Sequence, residues 1–296
     1  MEILEINVRK DSMRTQITQQ QFDEERALYA LRQANVVGCT FAGPQDGESA
    51  LKESRDVTVH NCKFSLRYPF WHAKDFLVSD SCLDSACRAP IWYAEAGTLR
   101  RCRIEGVKAI RECKDMLIEQ SSILSSEFGW KCRGITVRNC HIESEYLFLE
   151  CKEMEIDGLD MKGKYSFQYT ENGRIDHSEL DTKDAFWHSK NLTVTNSTLK
   201  GEYLGWFSEG LTLIDCHISG TQPLCYCKDL RLIRCTMENT DLAFEYSDVN
   251  AEINGHILSV KNPRSGHITA DSIGEIIREG SIMPTDCIID IKKYKI

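Results

Sequence analysis

The chain has 296 residues, of which 42% are hydrophobic and 27% are charged, so it has enough apolar side chains for a substantial core. Its 45 acidic and 36 basic residues give a formal net charge of −9, which disfavours nucleic acid and anionic membranes as partners. We expect no membrane span and no secretory signal, because long apolar runs are absent from the sequence and from its start. The 14 cysteines then favour a cytoplasmic protein with reduced thiols.

Residues 1–33 precede the regular part of the sequence and allow two interpretations. The segment EERALYALRQA is rich in helix formers and predicts a short helix. Alternatively, Thr15 to Gln33 form a degenerate first coil, with Ile17 and Phe22 at its apolar positions. In either case we expect this segment to cap a repeat array, because an open end would expose an unpaired edge.

A repeat of 19 residues occupies most of the chain. Its rows begin at Ala34, Val57, Phe76, Gly97, Met116, Ile135, Met154, Gly173, Leu192, Leu211, Leu230 and Val249. Positions 1 and 3 of each row are mostly apolar, which is the spacing of a strand. Position 6 is small or cysteine, position 8 is apolar, and positions 10 and 19 favour turn residues. The pattern predicts an all-β parallel β-helix of about 11 stacked coils.

A leucine-rich repeat is the rival interpretation, since it shares the spacing of positions 1, 3, 6 and 8. Its repeat is usually about 20–29 residues long, and the second half of each row here contains Phe, Trp, Gly and Pro instead of helix formers. After about Asn254 the period is lost, and extra strands around an NPRSG turn are predicted to cap the array. We therefore expect one domain, with residues 1–33 and 254–296 as caps and residues 34–253 as coils.

All five tryptophans lie at position 15. Position 14 never carries a charge, position 16 carries rings or charges, position 17 is small and position 18 is mostly charged. Strict alternation would bury the tryptophans, whereas the presence of Lys52, Arg111 and Gln168 in the same column favours exposure. A bend between positions 15 and 16 would allow partial exposure. The column is then either internal packing or an aromatic wall suited to the apolar faces of sugars.

Four segments carry a resemblance to a known family: GESALKES (Gly47 to Ser54), RYPFWHAK (Arg67 to Lys74), RAPIWY (Arg88 to Tyr93) and DAFWHSKNLTVTNS (Asp184 to Ser197). In these segments the chain resembles an uncharacterised bacterial β-helix family, number 3737 of the domains of unknown function, within the pectin-lyase-like superfamily. The resemblance covers nearly the whole chain and implies a single-stranded right-handed β-helix. It implies no particular reaction. Polysaccharide lyases and hydrolases are common in the superfamily, which is an analogy of fold alone.

Glu112, Lys131 and Glu150 occupy position 16 of three successive coils. Carboxylates two coils apart have backbones about 9.6 Å apart and could reach the roughly 6.5–9.5 Å separation of an inverting glycosidase. A ladder of surface ion pairs is the alternative. Arg111 is predicted to stack on neighbouring indoles, or else to act as a base or a carboxylate clamp.

Neither a metal nor another cofactor is predicted. The acidic residues at position 18 are interrupted by lysine and arginine, and the histidines show no metal-ligand spacing. Stacked cysteines, such as Cys113, Cys132 and Cys151, would fall within disulfide range but are interpreted as small core residues.

The sequence therefore predicts a protein that binds, and if it is an enzyme hydrolyses or eliminates, an oligosaccharide. The catalytic candidates are Glu112, Glu150 and Lys131. The predicted binding surface consists of Trp71, His72, Trp92, Tyr93, Arg111, Trp130, Tyr169, Trp187, His188 and Trp206. The alternative is a non-catalytic scaffold whose aromatic columns serve packing or a protein interface. The sequence does not determine the oligomeric state.

Overall fold

A computed structural model describes residues 14–43 and 47–292. Their contacts form two compact units, divided between Gly129 and Trp130, and each unit is described by itself. Both are built from parallel strands wound as a right-handed single-stranded β-helix, with about 14 turns in all. The predicted fold is confirmed, with more turns than the 11 expected. The leucine-rich repeat is wrong, because no α-helix occurs in the described ranges.

The first unit contains short strands and one 3₁₀ turn, Ser85–Cys87. Its strands are β1 (Thr15–Thr18), β2 (Gln21–Phe22), β3 (Arg32–Val37), β4 (Thr40–Ala42), β5 (Arg55–His60), β6 (Lys63–Ser65), β7 (Lys74–Ser79), β8 (Cys82–Leu83), β9 (Ile91–Trp92), β10 (Glu95–Arg100), β11 (Arg103–Glu105), β12 (Ile110–Arg111), β13 (Lys114–Glu119), β14 (Ser122–Leu124) and β15 (Glu127–Phe128).

The second unit contains longer strands, several of which bend around a corner of the coil. They are β16 (Arg133–Ser144), β17 (Tyr146–Leu147), β18 (Lys152–Lys164), β19 (Glu171–Asp176), β20 (Glu179–Lys183), β21 (Lys190–Thr195), β22 (Thr198–Lys200), β23 (Thr212–Ile214), β24 (His217–Ser219), β25 (Leu230–Glu238), β26 (Asp248–Lys261), β27 (Ser265–Ile277) and β28 (Ile288–Ile291).

The strand register places residues 19 apart beside each other. In the second unit Ile156 pairs with Ile175, which pairs with Val194 on the next coil. These position-3 side chains are at most 3% exposed, so each apolar column is continuous through the core. One coil has a single row of apolar side chains and cannot bury it alone, whereas stacked coils bury the rows against one another.

Small residues at position 6 have a hydrogen-bonding role in addition to their size. Position 5 takes a left-handed conformation, as His177 does with φ 44°. The following amide then donates to a side chain on the next coil: Leu159 N donates to Ser178 Oγ at 3.1 Å, and Ser178 N donates to Ser197 Oγ at 3.0 Å. The column thus satisfies amides that the bend removes from the regular strand ladder.

Glycine at position 10 reflects close packing of successive coils. Gly201 has φ 150°, and a Cβ added there would lie 2.1 Å from the carbonyl oxygen of Thr182. A side chain at this corner would therefore collide with the preceding coil, which explains the turn residue expected from the sequence.

The N-terminal segment is a coil and not a helix. Ile17 pairs with Val36, and Phe22 stacks on Phe41 with ring centroids 5.0 Å apart. Within EERALYALRQA, Leu28 N donates to the carbonyl of Ala50 on the next coil instead of closing a helical turn. Bonds between coils override the local helix propensity, so the predicted helix is wrong and the degenerate coil is confirmed.

The C-terminal strands continue the parallel winding. Asp248 pairs with Ser265, a step of 17 residues, and His267 pairs with Ile288, a step of 21. These unequal coils explain why the period of 19 fades after Asn254. The predicted extra strands are confirmed, whereas their role as a cap and the single-domain organisation stay predictions. No helix in the part of the chain described is long and apolar enough to cross a membrane.

Removal of one ring from the internal phenylalanine column should weaken folding strongly. Phe167 is fully buried and its ring centroid lies 5.9 Å from that of Phe148 and 5.3 Å from that of Phe186. We expect Phe167→Ala to lower the free energy of unfolding by about 3–5 kcal/mol, measured by urea denaturation. The exposed Lys164→Ala serves as control and should change it by less than about 0.5 kcal/mol. Equal stability of the two variants would contradict continuous packing of this column.

Candidate functional site

The aromatic face of each coil depends on a reversal of the backbone at position 16. His72, Tyr93, Tyr169 and His188 all have φ between 53° and 57°. This left-handed conformation is uncommon for bulky residues, and it lets positions 14 and 17 both face the core. Position 14 is accordingly buried, the tryptophans are half-buried and position 16 is exposed. The expected bend and the partial exposure of the tryptophans are confirmed.

In the first unit, the predicted aromatic residues form two short stacks. Trp71 and Trp92 stack with centroids 5.1 Å apart and an interplanar angle of 2°, and His72 stacks on Tyr93 at 5.0 Å. The guanidinium of Arg111 lies 5.2 Å from the centroid of Trp92, which confirms the predicted cation–π contact.

In the second unit, Trp187 and Trp206 stack with centroids 5.5 Å apart. Their indole nitrogens donate to backbone carbonyls on the following coil, Trp187 to Tyr203 and Trp206 to Gln222, both at 2.7 Å. Trp130 donates likewise to Tyr146 at 3.0 Å. The tryptophan column therefore satisfies carbonyls at a corner of the coil, a role that the sequence pattern alone did not reveal.

Gln168 shows that the donor matters at this position. It lies in the tryptophan column, and its Nε2 donates to the carbonyl of Asp184 at 3.0 Å, as an indole does elsewhere in the column. An amide and an indole differ in shape but share an N–H donor, so either side chain can satisfy a carbonyl at this corner.

Four rings at position 16 form what we call the ring ladder: the exposed Tyr169, His188 and Phe207 and the half-buried Tyr226. Successive centroids are 4.9, 5.0 and 4.9 Å apart, and the planes differ by 14° or less. Tyr169 remains 51% exposed and Phe207 42% exposed. The faces inside the ladder cover one another, so the ring edges and their polar groups meet the solvent. Phe207 and Tyr226 were not among the predicted binding residues, although they continue the same column.

The proposed catalytic residues form ordinary surface ion pairs within their own units. Lys131 Nζ lies 3.7 Å from Glu150 Oε2, and Arg111 Nε lies 3.7 Å from Glu112 Oε1. Glu112, Lys131 and Glu150 are exposed, as a charge ladder would place them. Their catalytic role stays a prediction.

Asp157, Asp176 and His177 bring three potential metal-ligand atoms within 4.8 Å of one another. His177 Nδ1 lies 3.2 Å from Asp157 and 3.3 Å from Asp176. Partial burial opposes ionisation of Asp176, but hydrogen bonds from Thr195 and Asn196 outweigh it and lower its pKa. A similar exposed pair joins His267 to Asp290 at 2.8 Å, so pairing of histidine with aspartate accounts for the geometry without a metal.

Two of the buried cysteines, Cys62 and Cys102, are poor nucleophiles. Burial raises the pKa of Cys62 and of Cys102 to about 11, so both are thiols at neutral pH. Their Sγ atoms lie near carbonyls of their own and neighbouring coils, such as Val36 O at 3.6 Å from Cys62. The interpretation of column 6 as small core residues fits these positions.

Asp184 is the unusual ionisable group of the aromatic face. It is only 6% exposed, and within the described ranges its carboxylate has no hydrogen bond or ion pair. Burial raises its pKa; Glu202 adds to the effect and Lys183 opposes it. Sequence reasoning missed this residue, although there was a signal: an aspartate occupies position 12, where tyrosine stands in three other coils of this unit. Those tyrosines are Tyr146, Tyr165 and Tyr203.

Replacement of Asp184 by asparagine should stabilise the protein at neutral pH. Because the folded-state pKa is raised above 3.8, the folded chain holds the proton more tightly than the unfolded chain does. The contribution of this carboxyl group to stability is therefore fully present below the unfolded value of 3.8 and is lost as pH rises through the folded pKa. We expect Asp184→Asn to melt at a higher temperature than wild type at pH 7, with the difference vanishing near pH 3. A variant that melts lower than wild type at pH 7 would contradict an unpaired carboxylate.

Comparison with known proteins places the chain in a family. None of the curated proteins matches it. Solved structures with a similar fold include PfbA, a surface adhesin of Streptococcus pneumoniae, at 7% identity and a TM-score of 0.44, covering 96% of this chain and 85% of that one. The catalytic domain of a GH87 alpha-1,3-glucanase in complex with nigerose has 10% identity and a TM-score of 0.45, covering 95% and 64%. The Azotobacter vinelandii mannuronan C-5 epimerase AlgE4 A-module has 7% identity and a TM-score of 0.32, covering 98% and 92%. Residues 15–290 match the family described as "Protein of unknown function (DUF3737)", and the chain belongs to that family.

Proposed function

We propose that the protein binds an oligosaccharide along the ring ladder and the adjacent Trp187 and Trp206 of the second unit. The observation that carries this proposal is a regular row of four rings at intervals of 4.9–5.0 Å, of which Tyr169, His188 and Phe207 are exposed and Tyr226 is half-buried. Exposed, contiguous aromatic surface is typical of a binding site. A periodic surface also suits a ligand that is itself a repeating chain.

The chemistry of the ladder fits a ligand that combines apolar C–H groups with hydroxyls. Phe207 contributes apolar ring edges, whereas Tyr169 and Tyr226 add phenolic hydroxyls and His188 adds ring nitrogens. These groups both donate and accept hydrogen bonds. Because the ring faces of the ladder largely cover one another, a ligand would contact the ladder through the ring edges. Face-on stacking of a sugar, which the sequence suggested, is confined to rings that have an uncovered face.

The charges beside the ladder favour a neutral ligand. Position 18 alternates in sign through Lys152, Glu171, Lys190, Glu209 and Lys228. Lys152 Nζ lies 2.8 Å from Glu171 Oε2, and that contact lowers the pKa of the glutamate. An alternating row produces little net field at a distance, so it would attract neither a polyanion nor a polycation strongly.

A protein-binding scaffold is the second candidate. The stacking of the rings on one another and the bonding of the indoles to backbone carbonyls favour it, because both are structural roles that need no ligand. Tyr, Trp and Phe are also enriched in protein interfaces. On this alternative, the exposed ring edges would contact another protein.

An array of neutral and uronate-containing hexasaccharides distinguishes the two candidates. We expect wild type to bind a neutral hexasaccharide and Phe207→Ala to bind it roughly tenfold more weakly, equivalent to about 1.4 kcal/mol. Tyr29→Ala is the matched control, because Tyr29 is 44% exposed and lies outside the second unit. Melting temperatures of all three proteins check that they fold. Failure of the wild type to bind any glycan would reject the sugar proposal and favour the scaffold.

Catalysis is a separate prediction about the same ligand class. If Glu150 acts as a catalytic acid or base, Glu150→Gln should abolish hydrolysis of a bound hexasaccharide while binding persists. Glu155→Gln, an exposed glutamate on β18, is the control and should retain turnover. Product release would be followed by chromatography, and unchanged turnover of Glu150→Gln would remove this residue from the mechanism.

A further inference from the structure

Two aromatic columns of the second unit are interrupted at neighbouring positions. Gln168 replaces a ring in the tryptophan column, and Asp184 replaces a tyrosine in the column at position 12. The two replacements touch, since Gln168 Nε2 donates to the Asp184 carbonyl at 3.0 Å. Two large rings are thus missing from one place on the aromatic face, and we call this place the polar gap.

The backbone does not require an aspartate at position 184. Asp184 has φ 54°, close to 49° at Tyr165 and 57° at Tyr203. Its amide donates to the Glu202 carbonyl at 2.9 Å, as that of Tyr165 donates to Lys183 at 2.8 Å. A tyrosine would therefore fit the conformation at position 184, and the difference lies in the side chain alone.

The carboxyl group in the polar gap belongs to a residue that is only 6% exposed, and it has no hydrogen bond or ion pair within the described ranges. The neighbouring cation, Lys183, is engaged elsewhere: its Nζ lies 3.0 Å from Glu202 Oε2 and 5.2 Å from the centroid of Tyr203. Burial of an ionisable group without a partner destabilises a fold. A ligand hydroxyl that donates to Asp184 would supply the missing partner.

Trp187, three residues after Asp184, is half-buried and provides an apolar surface on the same coil. One face of its indole is covered by Trp206. Toward the preceding coil its neighbour in the column is Gln168, and no second ring stacks on it among the described residues. An aromatic face next to a hydrogen-bond acceptor is the combination that a sugar ring requires, with its apolar C–H face and its equatorial hydroxyls.

We propose that the polar gap is a sugar-ring subsite, in which a neutral pyranose lies against Trp187 and donates hydroxyl hydrogen bonds to Asp184. The inference rests on the proposed function and assigns one ring of the oligosaccharide to a defined place. The raised pKa of Asp184 agrees with a group whose partner is supplied by the ligand.

Variants that fill or neutralise the gap test this assignment on the same array of neutral and uronate-containing hexasaccharides. Asp184→Tyr and Gln168→Trp restore the missing rings, and Asp184→Asn removes only the charge. We expect each to weaken binding at least tenfold, and Asp184→Asn to melt higher than wild type at pH 7. Asp181→Asn is the control, because Asp181 lies on β20, three residues before Asp184, is exposed and pairs with Lys200 at 3.2 Å. Its binding should match wild type.

The outcomes separate this inference from the proposed function. If wild type binds a hexasaccharide, Phe207→Ala weakens it, and both Asp184→Asn and Gln168→Trp bind as wild type does, the polar gap is a packing irregularity and the subsite is wrong. If wild type binds no glycan, the proposed function and the subsite both fail. Should Asp184→Tyr fail to fold, Asp184→Asn decides the matter, since asparagine has nearly the same shape as aspartate.

Discussion

Hydrogen bonding between successive coils is the constraint on which the rest of the structure depends. Every strand of a β-helix must find its partners on the coils before and after it, so each residue is fixed above the residue one period earlier. Ile156, Ile175 and Val194 illustrate the result, since the register that pairs their backbones also joins their side chains into one buried column. The size and polarity of a side chain therefore depend on its neighbours in the same column as much as on those in its own coil.

The corners of the coil create a second demand, because a left-handed residue breaks the regular ladder. At position 6 the amides freed by the bend are satisfied by serine hydroxyls, as between Leu159 and Ser178. At the position-12 corner the carbonyls accept from indoles and, once, from the amide of Gln168. Small polar residues and tryptophans, which look unrelated in the sequence, thus solve the same problem of buried backbone polarity.

The aromatic face follows from these structural roles and also gives the surface its binding character. Tryptophans held by their indole nitrogens fix the position of the outer rings, and the reversal at position 16 exposes Tyr169 and Phe207. The polar gap stands apart, because Asp184 has no structural partner comparable to those of its column neighbours. An aspartate without a partner stabilises the fold less than a packed tyrosine would, and such a loss of stability is common at sites that bind a ligand.

The sequence by itself determined the period, the all-β coil, the inward columns and the face on which the aromatic residues lie, because a repeat imposes the same environment on every nineteenth residue. It left open whether the tryptophans face inward. Alternation along a strand would bury them, whereas the polar residues Arg111 and Gln168 in the same column indicate exposure. Only the left-handed φ at position 16 resolved that conflict. It also suggested a helix around Leu28, where hydrogen bonds to Ala50 on the next coil decide otherwise. Other features depend on distances between coils, which a linear pattern does not contain and which only the tertiary structure fixes. They are the stacking of the ring faces, the pairing of Lys131 with Glu150 and the lack of a partner for the Asp184 carboxyl.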